Sequence, residues 1–300
     1  MATAERRFAS EDENFFRVEY LEERPAIEDD EDVVLRHVGD TGAVVEVSGQ
    51  MATKTHASAG SYEREYAALL FITRHGIGGA PRLLADNRSA KRLTVERIFG
   101  FSVEGTSALY APALWHQAGA WLRSLHALPA RSDDATSFGQ AMSLRIDAAL
   151  TTIAPALEEA QLRVIDEVKA ALSRSRYAAT ERVFCHRDFR PRNWMVRRDG
   201  TFVAVDFEHA RVDFLESDFA RLIPYFRERE DLREVFVRSY KDARRVYSDE
   251  RMRVAVVVDA LQTLAWGMKH GHESYEQQGR SLVASALDEY TRSVSWFYTR

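Results

Sequence analysis

The chain has 300 residues, of which 45% are hydrophobic, so it is long enough to bury a sizeable core and to form two lobes. Its formal net charge of -5 argues against a general nucleic-acid binder, and its single cysteine, Cys185, excludes an internal disulfide framework. Charged residues precede any apolar run and no apolar window is long enough for a bilayer, so we expect a cytoplasmic protein without a signal peptide.

The N-terminal third is predicted to contain an acidic segment, residues 1–31, and a mixed lobe, residues 32–99. Positions 11 to 32 carry eleven acids against two bases, a bias typical of an exposed segment. Two strands, 42–47 and 50–54, are predicted around a turn at Ser48-Gly49. A helix from Tyr62 to about Arg74 follows, with Ser61 as its N-cap.

Residues 100–300 are predicted to form a mainly helical lobe. Apolar periodicity and breaker residues define its helices, with Pro155 as the boundary between the second and the third. The predicted spans are 114–128, two helices within 144–173, and then 231–240, 251–270 and 274–298.

Three short apolar strands lie in the middle of this lobe, at 183–185, 194–196 and 202–205. Asp199-Gly200 between the last two is a strong signal for a two-residue hairpin turn. A loop of those two residues would place Asn193 directly opposite Asp206, with Cβ atoms roughly 5 Å apart. Amide and carboxylate oxygens at that separation can share one Mg²⁺ ion.

The segment His186 to Asn193 and the acids after the third strand suit phosphoryl transfer, which needs a metal, an acid at the acceptor hydroxyl and a cation on the phosphates. Asp188 lies in the loop before Asn193, and we predict that it is the catalytic base. We assign Asn193 and Asp206 as metal ligands. Glu208 is either a further metal ligand or a solvent-facing acid.

These residues resemble the Brenner-type motif, His-x-Asp followed five residues later by Asn, of the aminoglycoside phosphotransferase and choline kinase-like superfamily. Three further segments resemble that superfamily in the same order. They are the inter-lobe hinge (94–100), the Leu-His-x-x-Pro helix end (121–129) and the Asp-Leu-Ala element after the metal site (217–222).

The resemblance implies an α+β, bilobal protein-kinase-like fold with a phosphate-binding lysine on a strand of the N-terminal lobe. Lys54 is the only lysine before position 91 and is our candidate. The family pattern favours Glu65 as its partner, although Glu63 also faces an apolar side of the helix. Glu96 and Ile98, in the hinge at 95–100, are assigned to the nucleotide.

Two glycines, Gly39 and Gly42, lie between apolar strands. The loop that contains them either curls over the nucleotide phosphates through backbone N–H groups or is an ordinary hairpin turn.

Four residues are predicted to support the catalytic loop rather than to carry protons. The resemblance suggests that His126 supports the loop from the helix end, and the ring of His186 is expected to hold it. Asp218 either caps a helix or braces the loop. Arg187 gives the His-Arg-Asp order of protein kinases, but only eleven residues separate Asp206 from Asp218, so no long activation segment fits.

The acceptor is the least defined part of the prediction. Arg187 and Arg190 either attract an anionic group or form ion pairs with local acids. Tyr225 and Trp266 could stack on a ligand of low charge. A polycationic ligand would instead require several acids converging from the C-terminal helices, for which Asp147, Asp259, Glu273, Glu276 and Asp288 are available.

The sequence therefore predicts a small-molecule O-phosphotransferase that uses Mg²⁺ and ATP or GTP, without nucleic-acid or membrane partners. The predicted acceptor is an antibiotic, such as an aminoglycoside, a nucleoside or a peptide. The alternatives are a metabolite kinase of the choline or homoserine type and a non-catalytic pseudokinase. The sequence does not indicate the oligomeric state.

Overall fold

The computed structural model describes residues 42–130, 132, 134–241 and 248–296, and the backbone of residues 35–38. The acidic segment 1–31 and Gly39 lie outside these residues.

The N-terminal part is an antiparallel sheet with one helix. The sheet has the order β1-β2-β3-β5-β4, and the helix connects β3 to β4. The strands are β1 (Leu35–Val38), β2 (Val44–Ser48), β3 (Met51–Thr55), β4 (Leu83–Asn87) and β5 (Arg92–Glu96), and the helix is α1 (Ala59–Arg74). Tyr62, Leu69 and Ile72 of α1 are buried together with Leu93 of β5, so the apolar face of the helix closes this small core.

Two local predictions in this part are wrong by one to three residues. Ser48 pairs with Met51, so the turn is formed by Gly49 and the following residue, with φ of +53° at the glycine. The N-cap of α1 is Ser58, whose hydroxyl accepts a hydrogen bond of 3.0 Å from the Ser61 amide. The helix therefore begins three residues before the predicted start at Tyr62.

The C-terminal part is mainly helical and carries two small antiparallel sheets, β6-β8-β9 and β10-β7. Its strands are β6 (Gly100–Ser102), β7 (Val183–Cys185), β8 (Trp194–Arg197), β9 (Phe202–Ala204) and β10 (Arg211–Asp213). Its helices are α2 (Pro112–His126), α3 (Phe138–Ile153), α4 (Glu159–Ala171), α5 (Glu216–Phe219), α6 (Ile223–Phe226), α7 (Glu230–Tyr240), α8 (Asp249–His270) and α9 (Glu273–Thr291).

The predicted helices are all present, and Pro155 lies in a short 3₁₀ turn between α3 and α4. The prediction that the last helix reaches Tyr298 is wrong: α9 ends at Thr291, and Ser293 shortly after it has φ of +56°, which interrupts helical geometry. Along the part of the chain that the structure describes, no helix combines the length and the apolar character needed to cross a bilayer.

Trp115 of α2 is the centre of the aromatic core of the helical part. Its ring centroid lies 5.0 Å from that of Trp194, 5.2 Å from that of Phe226 and 6.2 Å from that of Phe236. Aromatic pairs at these separations contribute about 0.5–1.5 kcal/mol each beyond the area that they bury. The core thus fixes β8, which leads out of the catalytic loop, against α2 and α7.

The two parts of the molecule are joined by hydrogen bonds at residues 78 and 79. The indole N–H of Trp121 donates to the Gly78 carbonyl at 2.8 Å, and the Ala204 amide donates to the Gly79 carbonyl at 2.9 Å. A Cβ atom at Gly79 would lie 2.7 Å from the Trp121 ring, so this close approach requires glycine. These contacts fix the N-terminal sheet relative to the segment that carries Asp206.

Candidate active site

Asp218 braces the loop that follows β7. Its carboxylate accepts hydrogen bonds from the amides of His186 at 2.9 Å and Arg187 at 2.6 Å, and His126 Nε2 lies 3.0 Å from its Oδ2. Arg187 has φ of +69°, a conformation that costs a non-glycine residue about 1–3 kcal/mol. The hydrogen bonds to Asp218 hold Arg187 in that conformation. Of the two predicted possibilities for Asp218, the structure has the brace, and the N-cap of α5 is Leu215.

The ring of His186 links the same loop to the end of β9. The Asp188 amide donates to His186 Nδ1 at 3.3 Å, and His186 Nε2 lies 3.0 Å from the Val205 carbonyl oxygen. Because Nδ1 accepts, the hydrogen bonds assign the ring proton to Nε2, which donates to Val205. Both ring nitrogens are therefore used to hold the backbone.

Asp188 is 2% exposed and is surrounded by cationic side chains. Its Oδ2 accepts hydrogen bonds from Arg192 Nη2 at 2.9 Å and from Asn193 Nδ2 at 2.8 Å. Burial alone would raise the pKa of this carboxyl group, but the positive charges of Arg190, Arg221 and Arg192 hold the pKa well below its usual range. Asp188 is thus an ionised acceptor near neutral pH.

The second oxygen of Asp188 is placed differently. Arg190 Nε lies 2.8 Å from Asp188 Oδ1, but the two groups are not aligned for a hydrogen bond. Among the described residues, neither of these buried atoms has a hydrogen-bond partner. Asp188 Oδ1 is therefore the oxygen of this carboxylate whose hydrogen-bonding capacity is unused among the described residues.

The predicted register that placed Asn193 opposite Asp206 is wrong by one residue. Trp194 pairs with Ala204, and the amide of Val205 donates to the Asn193 carbonyl at 2.9 Å. The loop has three residues, 198–200, because only Gly200 adopts positive φ (+85°), whereas a two-residue turn needs it at both positions.

Asp206 nevertheless points into the site. A one-residue slip in a regular strand would place its side chain on the opposite face. Asp206, however, has φ of +67° and lies beyond the end of β9, so its carboxylate leaves the strand pattern and contacts Lys54 Nζ at 2.6 Å. The contacts of Asn193, by contrast, are made to Asp188, with Nδ2 donating to both its carboxylate and its backbone oxygen.

Lys54 lies at the centre of a cluster of three carboxylates. Its ammonium lies 2.6 Å from Asp206, 2.8 Å from Glu65 and 3.3 Å from Glu208. Burial opposes the charge, but the three acids outweigh burial and raise the pKa of Lys54 above its ordinary value. Lys54 is therefore permanently cationic.

Glu65 is the residue of α1 that contacts Lys54, in agreement with the predicted pair. Burial raises its pKa, but the charge of Lys54 and the hydrogen bonds from His56 and Lys54 lower the pKa to about 2. His56 Nε2 lies 2.7 Å from Glu65 Oε2, and the Phe207 amide donates to Glu65 Oε1 at 3.3 Å. The alternative acid, Glu63, is exposed and contacts Arg88.

The donor set around Lys54 fits a divalent cation. Three carboxylates against one ammonium leave two formal negative charges, and Mg²⁺ prefers oxygen ligands of this kind. Because Asn193 Nδ2 donates to Asp188, the amide oxygen is the atom that can face a cation. The ion could therefore be held by Asp206, Glu208 and the Asn193 amide oxygen, while Glu65 keeps its ion pair with Lys54.

The predicted hinge runs between β5 and β6. Glu96 ends β5 and Ile98 lies in the connection, and the Glu96 side chain contacts Arg197 at 2.7 Å and Arg82 at 3.8 Å. Gly42 has φ of +79° and is exposed just before β2. Neither arrangement tests nucleotide binding, so these assignments stay predictions.

A cavity of about 200 Å³ opens beside Asp188. Of the three residues predicted to contact substrate, Arg190 and Trp266 line it. Tyr225 is not among the lining residues, and its ring packs 6.0 Å from that of Trp115 because both belong to the aromatic core. Arg187 also lines the cavity and contacts Asp213 at 2.9 Å, so part of the predicted local ion-pair network is present.

Several residues of the site were not predicted from the sequence. His56 could have been found, because it follows Lys54 by two positions and so shares its face of the strand. Arg211 and Arg221 reach the cavity from β10 and from the short turn after α5, and no local pattern signals that. Their contribution depends on tertiary packing alone.

A small sheet with a lysine–glutamate pair, joined to a helical part with an acid on its catalytic loop, defines a protein-kinase-like phosphotransferase. The chain matches the family described as the phosphotransferase enzyme family (APH) over residues 14–252. It therefore belongs to that family of enzymes. A comparison with curated proteins gave no match.

Solved structures share the fold at low sequence identity. Choline kinase LicA from Streptococcus pneumoniae is 14% identical with a TM-score of 0.67, and the match covers 86% of this chain and 94% of that one. A choline/ethanolamine kinase family protein from Mesorhizobium loti is 16% identical with a TM-score of 0.69, covering 87% and 90%. The GDP complex of aminoglycoside 2'-phosphotransferase-IIIa is 13% identical with a TM-score of 0.67, covering 86% and 93%.

Proposed function

We propose that the protein transfers the γ-phosphoryl group of ATP or GTP to a hydroxyl group of a small molecule. The observation that carries the proposal is the cluster in which Lys54 contacts Glu65 of α1 and Asp206 after β9. It supplies the cation for the non-transferred phosphates, and Asp188 supplies an ionised acceptor for the hydroxyl proton.

In the proposed step the acceptor oxygen forms a bond to the γ-phosphorus. The bond between that phosphorus and the β–γ bridging oxygen breaks, and the nucleoside diphosphate leaves. The hydroxyl proton passes to Asp188 Oδ1, the buried oxygen without a hydrogen-bond partner among the described residues. Phosphoryl transfer demands mainly positioning and charge stabilisation, which suits an acceptor of such low basicity.

Mg²⁺ would neutralise charge on the phosphates at this site. The residues proposed to hold it are Asn193, Asp206 and Glu208, because they offer the amide and carboxylate oxygens that Mg²⁺ prefers. Lys54, held in place by Glu65, would then contact the phosphates.

The class of acceptor is part of the proposal. Relatives include choline kinases and an aminoglycoside phosphotransferase, so both a metabolite and an antibiotic are candidates. The arginines around Asp188 favour acceptors without several positive charges, such as nucleoside or peptide antibiotics or a hydroxylated metabolite. A pseudokinase is disfavoured, because Lys54, Asp188, Asn193 and Asp206 are all present and engaged.

The test is a panel of antibiotics and small alcohols incubated with MgATP and, in parallel, with MgGTP. Product mass reports an added phosphoryl group. Lys54→Ala and Asp188→Asn should each lower the transfer rate, by roughly 10²–10⁴-fold for the base. Asp166→Asn, an exposed position on α4, is the matched control and should leave it unchanged.

Two outcomes would contradict the proposal. One is a transfer rate in the Asp188→Asn protein equal to that of the wild type. The other is a wild-type protein that neither binds nor consumes either nucleotide in the presence of Mg²⁺.

A further inference from the structure

Arginine side chains form a large part of the lining of the cavity beside Asp188. Five arginines line it, and Asp188 is the only acid among the described lining residues. The arginines are Arg187, Arg190, Arg192, Arg211 and Arg221. Such a lining concentrates positive potential in a low-dielectric cleft and attracts anions.

The carboxylates near the cavity do not balance these cations. Asp188 contacts Arg190 and Arg192, and Asp259 contacts Arg221 at 2.9 Å. Asp213 is shared by three arginines, namely Arg145, Arg187 and Arg211. Among the described residues, these six arginines therefore share three carboxylates.

Two of the guanidinium groups are candidates for binding a ligand. Arg190 lines the cavity, and its Nε lies 2.8 Å from Asp188 Oδ1 without the alignment of a hydrogen bond. Arg211 has a side chain that is 52% exposed, and its contact with Asp213 is long, at 3.7 Å. Burial first, and then the charge of Arg187, lower the pKa of Arg211, as expected where like charges are crowded.

Two aromatic side chains also line the cavity. Trp266 of α8 and Tyr275 of α9 line it, with ring centroids 4.7 Å apart. Both side chains are partly exposed. An exposed aromatic pair beside a cationic wall suits a ligand with a flat or ring-shaped body and an anionic group.

The acids that a polycationic ligand would need do not converge on this cavity. Asp147 contacts Lys169 at 2.5 Å, Glu276 contacts Arg280 at 2.7 Å, and Asp288 contacts Arg292. Asp259 is used by Arg221. The cavity volume of about 200 Å³ is also below the ~300–1,000 Å³ of sites for drug-sized ligands.

We propose that this cavity is the acceptor site and that it selects a small, ring-containing hydroxyl compound that carries a carboxylate or phosphate group. Arg190 and Arg211 bind the anionic group, and Trp266 and Tyr275 pack against the ring. This inference rests on the proposed phosphotransferase function and names its substrate class.

The test uses three benzyl alcohols that share one aromatic ring and one hydroxyl group. They are 4-methylbenzyl alcohol, which is neutral, 4-(hydroxymethyl)benzoate, which is a carboxylate, and 4-(hydroxymethyl)phenyl phosphate. Kanamycin and choline are the cationic probes. Binding to the full chain is measured by calorimetry with MgADP present at saturation, so that the anions cannot occupy the donor site.

The carboxylate or the phosphate probe should bind at least tenfold more tightly than the neutral one, and the comparison between them identifies the preferred anion. Arg190→Gln and Arg211→Gln should each weaken that binding by roughly tenfold or more, as for a lost hydrogen bond to a charged group. Arg163→Gln, an exposed arginine on α4 whose side chain is 66% accessible, is the control and should have no effect.

The inference is overturned if the neutral probe binds as tightly as both anions, or if kanamycin or choline binds more tightly than they do. It is also overturned if neither arginine substitution weakens anion binding. MgADP binding in the same titrations separates the two proposals. If MgADP binds and the anions do not, only the acceptor class is wrong, whereas failure to bind MgADP contradicts the phosphotransferase proposal itself.

Discussion

The substitution Glu65→Gln tests whether the ion pair between Glu65 and Lys54 stabilises the fold, as measured by the free energy of unfolding. Glutamine keeps the shape of the side chain but removes the charge that faces Lys54 and His56. Glu65 is 6% exposed, so solvent screens this charge little. We therefore expect a loss of stability that depends on pH.

The magnitude follows from the pKa of Glu65, which is lowered from an ordinary 4.5 to about 2. That difference corresponds to about 3 kcal/mol of folding free energy at 1.36 kcal/mol per pKa unit. Because the folded pKa is the lower one, the contribution is fully present above pH 4.5 and is lost as the pH falls through about 2. It should be about 2 kcal/mol at pH 3.5 and under about 1 kcal/mol at pH 2.5.

The assay is urea unfolding followed by tryptophan fluorescence at pH 7, 5 and 3.5. Glu65→Gln should be less stable than the wild type by about 3 kcal/mol at pH 7, and the gap should narrow toward pH 3.5. Glu63→Gln is the matched control on the same helix. Its pair with Arg88 is exposed, so it should cost under about 0.5 kcal/mol at every pH.

A gap between wild type and Glu65→Gln that stays constant from pH 7 to pH 3.5 would refute the electrostatic argument. The same holds if Glu63→Gln is as destabilising as Glu65→Gln. In either case the stabilisation would come from packing or from hydrogen bonds that glutamine retains.

Three further predictions address the loop, the junction between the two parts and the acidic limb of the rate. Asp218→Ala removes the acceptor of two buried amides and of His126, and chemical denaturation should show a loss of about 3–5 kcal/mol. Gly100→Ala would place a Cβ atom 2.0 Å from a carbonyl oxygen across the β6–β8 ladder, and its melting should report about 1–3 kcal/mol of destabilisation. Arg190→Gln removes a cation that lies 2.8 Å from Asp188 and lowers its pKa, so the acidic limb of the pH–rate profile should move to higher pH, and an unmoved limb would contradict the assigned pairing.

The contacts of the site that were predicted came mainly from the family resemblance. It favoured Glu65 over Glu63 as the partner of Lys54, and because the two residues lie on a strand and on the helix that follows it, they meet at 2.8 Å. The support of the loop by Asp218 and His126 also appeared as predicted, on the strength of the family resemblance.

The errors arise where one torsion angle decides the outcome. Asp199 does not adopt positive φ, and its side chain instead accepts the Thr201 amide at 2.9 Å, so Gly200 alone makes the turn. The observed register of β8 and β9 therefore differs from the predicted one by one residue. The positive φ of Asp206 nevertheless directs its carboxylate to Lys54. Composition at a turn does not determine which residue takes the left-handed conformation.

The net charge of the chain also did not predict the local charge at the site. A formal net charge of -5 suggests a protein that repels anions. Around Lys54 the described side chains carry two surplus negative charges, whereas around the cavity beside Asp188 six arginines share three carboxylates among the described residues. Because ionic interactions in solvent are screened within about 8–10 Å, the local surplus and not the net charge governs which ligand each side attracts. The two groups of described side chains share no carboxylate, so the proposed divalent cation with its nucleotide and the proposed anionic acceptor would not compete for the same residues.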